Sequence, residues 1–210
     1  VIETNQKEYF DMIAKREPAK WEFNTPGDNE SWSSGHMNLF TVDGYMRATS
    51  ITDSRDPIIT FNGDTNFVAA KYKTFEVRVR YKHDSESPQA LTMYFTTDSE
   101  PSMREAVTLK LLLDSNDSKG EWETYTYDLS KCEFWTGTIK KLRFDPFNAV
   151  GTIDIDYMRF VEDPDYNPSA KPPKEEQDSG VFEIKNGDAE GTIQAFRSDN
   201  AKISIVEDPD

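Results

Sequence analysis

Apolar and polar residues alternate through many short runs of this chain, and that restricts its fold more than any other feature. Phe75, Val77, Val79 and Tyr81 alternate with Glu76, Arg78, Arg80 and Lys82. A period of two puts successive side chains on opposite faces of a strand with one buried side. The same pattern sets Leu91, Met93 and Phe95 against Thr92, Tyr94 and Thr96, and Val107, Leu109, Leu111 and Leu113 against Thr108, Lys110 and Leu112. It returns in Tyr125, Tyr127 and Leu129, in Leu142 and Phe144 around Arg143, and in Ile153 and Ile155 around Asp154. Turn chemistry separates the runs: Asn62-Gly63-Asp64, Ser87-Pro88, Glu100-Pro101, Asn116-Asp117-Ser118-Lys119-Gly120 and Asp145-Pro146. Many short strands without long helices between them point to an all-β antiparallel sandwich of the jelly-roll type.

The runs lie within residues 18–161. Ahead of them, residues 1–17 form an extension in which Tyr9, Phe10 and Ile13 fall at the spacing of a short helix ended by Pro18. Behind them the texture changes. Residues 162–178 hold four prolines and six acidic against two basic residues with no apolar pattern, and the spacing predicts an extended linker to about residue 180. Residues 181–210 turn strand-like again in Val181, Phe182, Ile184, Ile203 and Ile205, too short a stretch for a sandwich of its own and consistent with the start of a second module. The opening on Val1 rather than Met suits a segment cut from a larger protein.

Composition narrows the partner. The net charge of −15, from 39 acidic and 24 basic side chains, disfavours nucleic acid and anionic membrane surfaces, which need a cationic field. No apolar run reaches the length of a membrane span. Cys132 is the single cysteine and has no internal partner for a disulfide. With a mean hydropathy of −0.75, the aromatic share of 12% is high, so rings are left over for something besides the core.

Several strings, in this order and spacing, resemble bacterial jelly-roll carbohydrate-binding modules: Trp21-Glu22-Phe23 and Trp32, Asp43-Gly44, Arg55-Asp56-Pro57, Gly120-Glu121-Trp122, Trp135-Thr136-Gly137, Leu142-Arg143-Phe144-Asp145-Pro146 and Ile153-Asp154-Ile155-Asp156-Tyr157. They cover about residues 20–161. The string Asn186-Gly187-Asp188-Ala189-Glu190-Gly191-Thr192 resembles the opening of family 22 xylan-binding modules, although no Trp follows Thr192 where that family has one. A binding module, a Pro-rich linker and a family 22 start together resemble the layout of gut-bacterial family 10 xylanases with an amino-terminal family 86 module. The resemblance implies non-catalytic binding of xylan or a related β-linked plant polysaccharide by an extracellular, monomeric module that targets a tethered glycoside hydrolase.

A polysaccharide site on a sandwich needs flat rings for sugar C–H faces and planar or charged groups for hydroxyls. If the inward rows are those above, the outward rows offer Tyr94 and Trp122 as rings and Arg78 and Arg143 as hydrogen-bonding forks, with Tyr45 and Arg47 as rim contacts. Each has a structural alternative: Trp122 as a core residue, Arg143 as a clamp for Asp145. Trp135 reads as a loop anchor. The resemblance also implies a structural calcium clipping the first and last strands, with Glu22, Asn24, Asp154 and Asp156 as ligands. At Asn24 the family carries a carboxylate.

Two rival readings come from other classes. A cell-surface adhesion or protein-interaction sandwich has the same pattern, because fold does not set function. A small glycoside hydrolase or lyase needs two acids opposed across a groove. The acid pairs visible in sequence, Glu121 with Glu123 and Asp154 with Asp156, sit two apart on one strand side instead. His36, His83 and Cys132 form no recognisable nucleophilic arrangement.

Overall fold

The computed structural model describes residues 19–51 and 53–169. The helix expected within residues 5–16, the linker beyond Ser169 and the strand-like segment 181–210 lie outside the described residues.

Twelve strands follow in chain order: β1 (Lys20–Trp21), β2 (Trp32–Ser33), β3 (Met37–Val42), β4 (Tyr45–Ser50), β5 (Ile59–Phe61), β6 (Phe67–Val68), β7 (Tyr72–His83), β8 (Ala90–Thr97), β9 (Thr108–Leu112), β10 (Glu123–Asp128), β11 (Thr138–Asp145) and β12 (Gly151–Glu162). Short 3-10 turns precede β7 and follow β10. The first sheet runs β10-β7-β12-β4-β3 with β1 on β12; the second runs β2-β5-β11-β8-β9 with β6 on β11. Every pairing is antiparallel. The jelly-roll sandwich expected from the alternation is the architecture found.

The inward rows are those the alternation marks. Phe75, Val77, Val79 and Tyr81 of β7, Leu91, Met93 and Phe95 of β8, and Leu142 and Phe144 of β11 are all buried. Much of the aromatic surplus is spent in this core as well. Trp21, Trp32 and Trp135 are buried; Trp21 meets Trp32 edge-on at 5.2 Å, and Trp135 stacks on Phe160 at 4.8 Å. Edge-to-face and stacked pairs of this kind add roughly 0.5–1.5 kcal/mol beyond the area they bury. The Trp135 indole N–H donates to the Ala69 carbonyl at 3.0 Å, making the ring the loop anchor its Thr-Gly neighbours suggested. Trp122 is the one tryptophan outside this core.

Two backbone devices decide what the outer faces carry. Asp43 and Gly44, both at positive φ (47° and 82°), make the two-residue turn between β3 and β4, a conformation that favours Asp-Gly. In β12 the ladder shifts at Asp156: Ile155 lies opposite Val79, but Tyr157 lies opposite Arg78. The extra residue exchanges the faces, so odd residues point inward before the bulge and Met158 and Phe160 after it.

Candidate functional site

The residues singled out from the sequence divide between the two outer faces of the sandwich. Tyr45, Arg47, Arg78 and Trp122 lie on the first sheet, together with Asp154 and Asp156. Tyr94 and Arg143 lie on the second. One polysaccharide chain crossing one sheet therefore cannot touch all six.

On the first sheet, Asp154 of the central strand β12 stands directly opposite Arg47 of β4 on one side and Arg80 of β7 on the other. Arg47 donates to it through Nε (2.6 Å) and Nη2 (2.8 Å), and Arg80 through Nε at 2.7 Å. The carboxylate is nearly buried, its side chain 5% exposed, so the two guanidiniums supply the charge balance that water does not. That hydrogen bonding holds the Arg47 guanidinium still more firmly protonated. Arg80 lies 4.6 Å from the Trp122 ring and 4.9 Å from the Tyr45 ring, a cation–π contact with each. The two rings meet edge-on at 5.8 Å. Trp122 reaches this position because Lys119 and Gly120, both at positive φ, turn the chain just before it. Arg78 bonds Asp156 at 2.5 Å and lies 5.4 Å from the Trp122 ring.

On the second sheet, Tyr94 of β8 and Arg143 of β11 are cross-strand neighbours. The Arg143 guanidinium carbon sits 4.2 Å from the Tyr94 ring centroid, and the same group grips Asp145 through Nε (2.9 Å) and Nη2 (2.5 Å). The clamp reading of Arg143 thus holds together with its place beside the ring. At the far end of the ring the Tyr94 hydroxyl donates to Glu105 at 2.6 Å, and Lys110 bonds the other Glu105 oxygen at 2.7 Å. Burial, then Glu105, pushes the Tyr94 hydroxyl up to about 12. The hydrogen bonds from Lys110 and Tyr94 hold Glu105 below the usual range for its carboxyl. Burial raises Asp145 above its usual value while Arg143 pulls it back. A groove of about 250 Å³ runs past these groups, lined also by Pro88, Gln89, Thr92, Leu112, Phe147 and Asn148. Leu112 is 70% exposed, a large apolar side chain left at the groove edge.

Sequence reasoning missed Glu105, Lys110 and Gln89 as members of this groove. Glu105 lies in the loop before β9, where no periodicity places it. Lys110 was legible as outward, but only register sets it opposite Thr92, one row from Tyr94.

The residues expected to hold calcium do not fit an ion. Asp154 and Asp156 are committed to arginines, whereas Glu22 pairs with Lys20 at 2.8 Å and accepts from Asn24 at 3.5 Å. Among the described residues no three acidic, histidine or cysteine side chains group as a metal site. The reason is cross-strand register: it sets arginines, rather than further oxygens, beside Asp154.

The opposed acids that a hydrolase needs have a partial counterpart in the groove, where Glu105 and Asp145 both line the wall. Asp145 is held by a guanidinium on both oxygens, and Glu105 by Tyr94 and Lys110. Both carboxyls are therefore already hydrogen-bonded to neighbouring side chains.

No family model and no curated protein matches this chain. Among solved structures it is similar to a mutant of a family 29 carbohydrate-binding module, with 11% identity, TM-score 0.44, and coverage of 70% of this chain and 94% of that one. It is also similar to a family 29 module complexed with mannohexaose, at 10% identity and TM-score 0.42 over 66% of this chain and 87% of that one. A low-affinity xylan-binding module, CBM86, from the gut symbiont Roseburia intestinalis is similar at 10% identity and TM-score 0.39, over 66% of this chain and 93% of that one.

Proposed function

We propose that the protein binds a plant polysaccharide without cleaving it, along the groove on the outer face of the second sheet. The observation that carries this reading is the fixed Tyr94 ring, backed by Arg143 at 4.2 Å and tethered through its hydroxyl to Glu105. A ring held from two sides loses little freedom on binding, and the surrounding polar groups (Gln89, Thr92, Lys110, Asn148) offer both donors and acceptors for sugar hydroxyls. Leu112 supplies an apolar edge for the C–H face of a neighbouring sugar. Because both carboxylates in the groove are already paired, the chemistry on offer is recognition rather than hydrolysis.

The motif order that resembles family 86 modules makes xylan the preferred ligand. The Pro-rich stretch after the sandwich suits a tether to a secreted glycoside hydrolase, whose local substrate concentration the module would raise. Affinity electrophoresis through gels containing xylan, mannan, mixed-linkage glucan or no polymer tests the reading. Retardation by xylan is expected, and Tyr94→Ala should weaken it about tenfold, the usual loss for a central contact ring. Free migration in every gel by a chain with an intact melting transition would overturn it.

A further inference from the structure

The first sheet carries a feature that the groove on the second sheet does not use. A shallow depression of about 430 Å³ on its outer face is lined by Arg47, Arg80, Lys82, Lys119, Asp117 and Asp154, among others. Four cations meet two carboxylates there, a local net charge of +2 on a chain whose total is −15. Arg47 and Arg80 share the single charge of Asp154, and Lys82 pairs with Asp117 at 3.0 Å. Lys119 is exposed beside the same Asp117. Arg80 hydrogen-bonds through Nε alone, so its two terminal nitrogens have no hydrogen-bond partner among the described residues. Its plane is nonetheless fixed, since Trp122 and Tyr45 lie against it at 4.6 and 4.9 Å.

We propose that this depression is a second carbohydrate subsite, which takes the carboxylate of a uronic acid unit. A planar guanidinium with two free donors matches a carboxylate in a two-point contact, and an ammonium at the rim adds attraction from a distance. The rings of Trp122 and Tyr45 lie against Arg80 beyond the lining of the depression, where they offer the pyranose of a bound uronate an apolar surface that a bare anion does not use. The acidity of the rest of the molecule disfavours densely charged polyanions, whereas uronates spaced along a mostly neutral glycan reach the positive depression singly. The site lies on the opposite sheet from Tyr94, so it takes its own stretch of glycan and does not depend on the groove.

The test is titration calorimetry of the whole chain with glucuronoxylan oligosaccharides and with the same oligosaccharides after their carboxyl groups have been reduced to alcohols. The acidic form is expected to bind about tenfold more tightly, and about 0.5 M salt to erase much of that difference. Arg80→Gln should remove the difference, with Asp154 still held by Arg47 on both oxygens. The exposed pair Lys82→Ala/Lys119→Ala, which touches no core, should reduce it severalfold. Equal affinity for acidic and reduced forms, or a preference for the acidic form that both variants retain, would overturn the proposal. Tyr94→Ala separates the two sites: it should weaken binding of the reduced, neutral form and leave binding of the acidic form at the depression in place, so that the carboxylate preference persists or widens. Should Tyr94→Ala leave neutral binding intact, the groove reading fails and this one still stands on its carboxylate preference.

Discussion

His83 shows how one side chain gains its behaviour from its surroundings. It closes β7, is only 5% exposed, and stacks on Tyr81 at an interplanar angle of 9°. Burial penalises the charged imidazolium first, and this holds His83 below its ordinary value despite the nearby Asp84. With the folded value depressed, the unfolded chain binds the proton more readily. The stability tied to neutral His83 is therefore complete above the unfolded value of about 6.5 and is lost as pH falls through the folded value. Differential scanning calorimetry from pH 8 to 5 should show the melting temperature falling, and His83→Phe should flatten that fall. In the groove, Tyr94 is the comparable case: with its hydroxyl pushed up to about 12, it remains a neutral hydrogen-bond donor at any physiological pH.

At the scale of elements, β12 organises the first sheet, pairing with β1, β4 and β7. Its first residue, Gly151, leaves no room for a side chain: a Cβ there would sit 2.4 Å from the Lys82 carbonyl oxygen and 2.9 Å from His83 Cα, both fixed in β7. Gly151→Ala must push the two strands apart, at a cost of about 2–3 kcal/mol from strain and lost ladder bonds. Urea unfolding should give that decrease, and amide exchange should rise first at the start of β12. The bulge at Asp156 is the other device in this strand. It sends Met158 and Phe160 into the core and releases Asp156 to bond Arg78 on the outside.

On the scale of the whole molecule, the sandwich presents two different surfaces separated by a continuous hydrophobic core. One carries a groove with a pinned tyrosine; the other carries an arginine–aromatic platform around a buried carboxylate. No hydrogen bond or ring contact joins the two sets of residues. Their substitutions should then act independently. Tyr94→Ala and Arg80→Gln combined are expected to change unfolding free energy by the sum of the single effects within about 0.5 kcal/mol, as measured by denaturant titration. A larger coupling would mean that strain passes through the core from sheet to sheet.

The class of fold and the direction of most side chains were already written in the local alternation. Alternation is a property of the strand itself, so Val77 and Val79 are inward and Arg78 and Arg80 outward wherever the strand lies. For the same reason Tyr94, Trp122 and Arg143 were legible as surface groups. Which surface they share was not, because strand order and sheet assignment come from pairings between residues as distant along the chain as Lys20 and Arg159. Tertiary structure alone separated Tyr94 from Trp122, set Arg47 and Arg80 on either side of Asp154, and brought the loop residue Glu105 to Tyr94. It also reassigned the acidic residues expected to hold calcium. Asp154 takes its partners from its cross-strand neighbours at about 5 Å, and no local pattern in the chain encodes who those neighbours are.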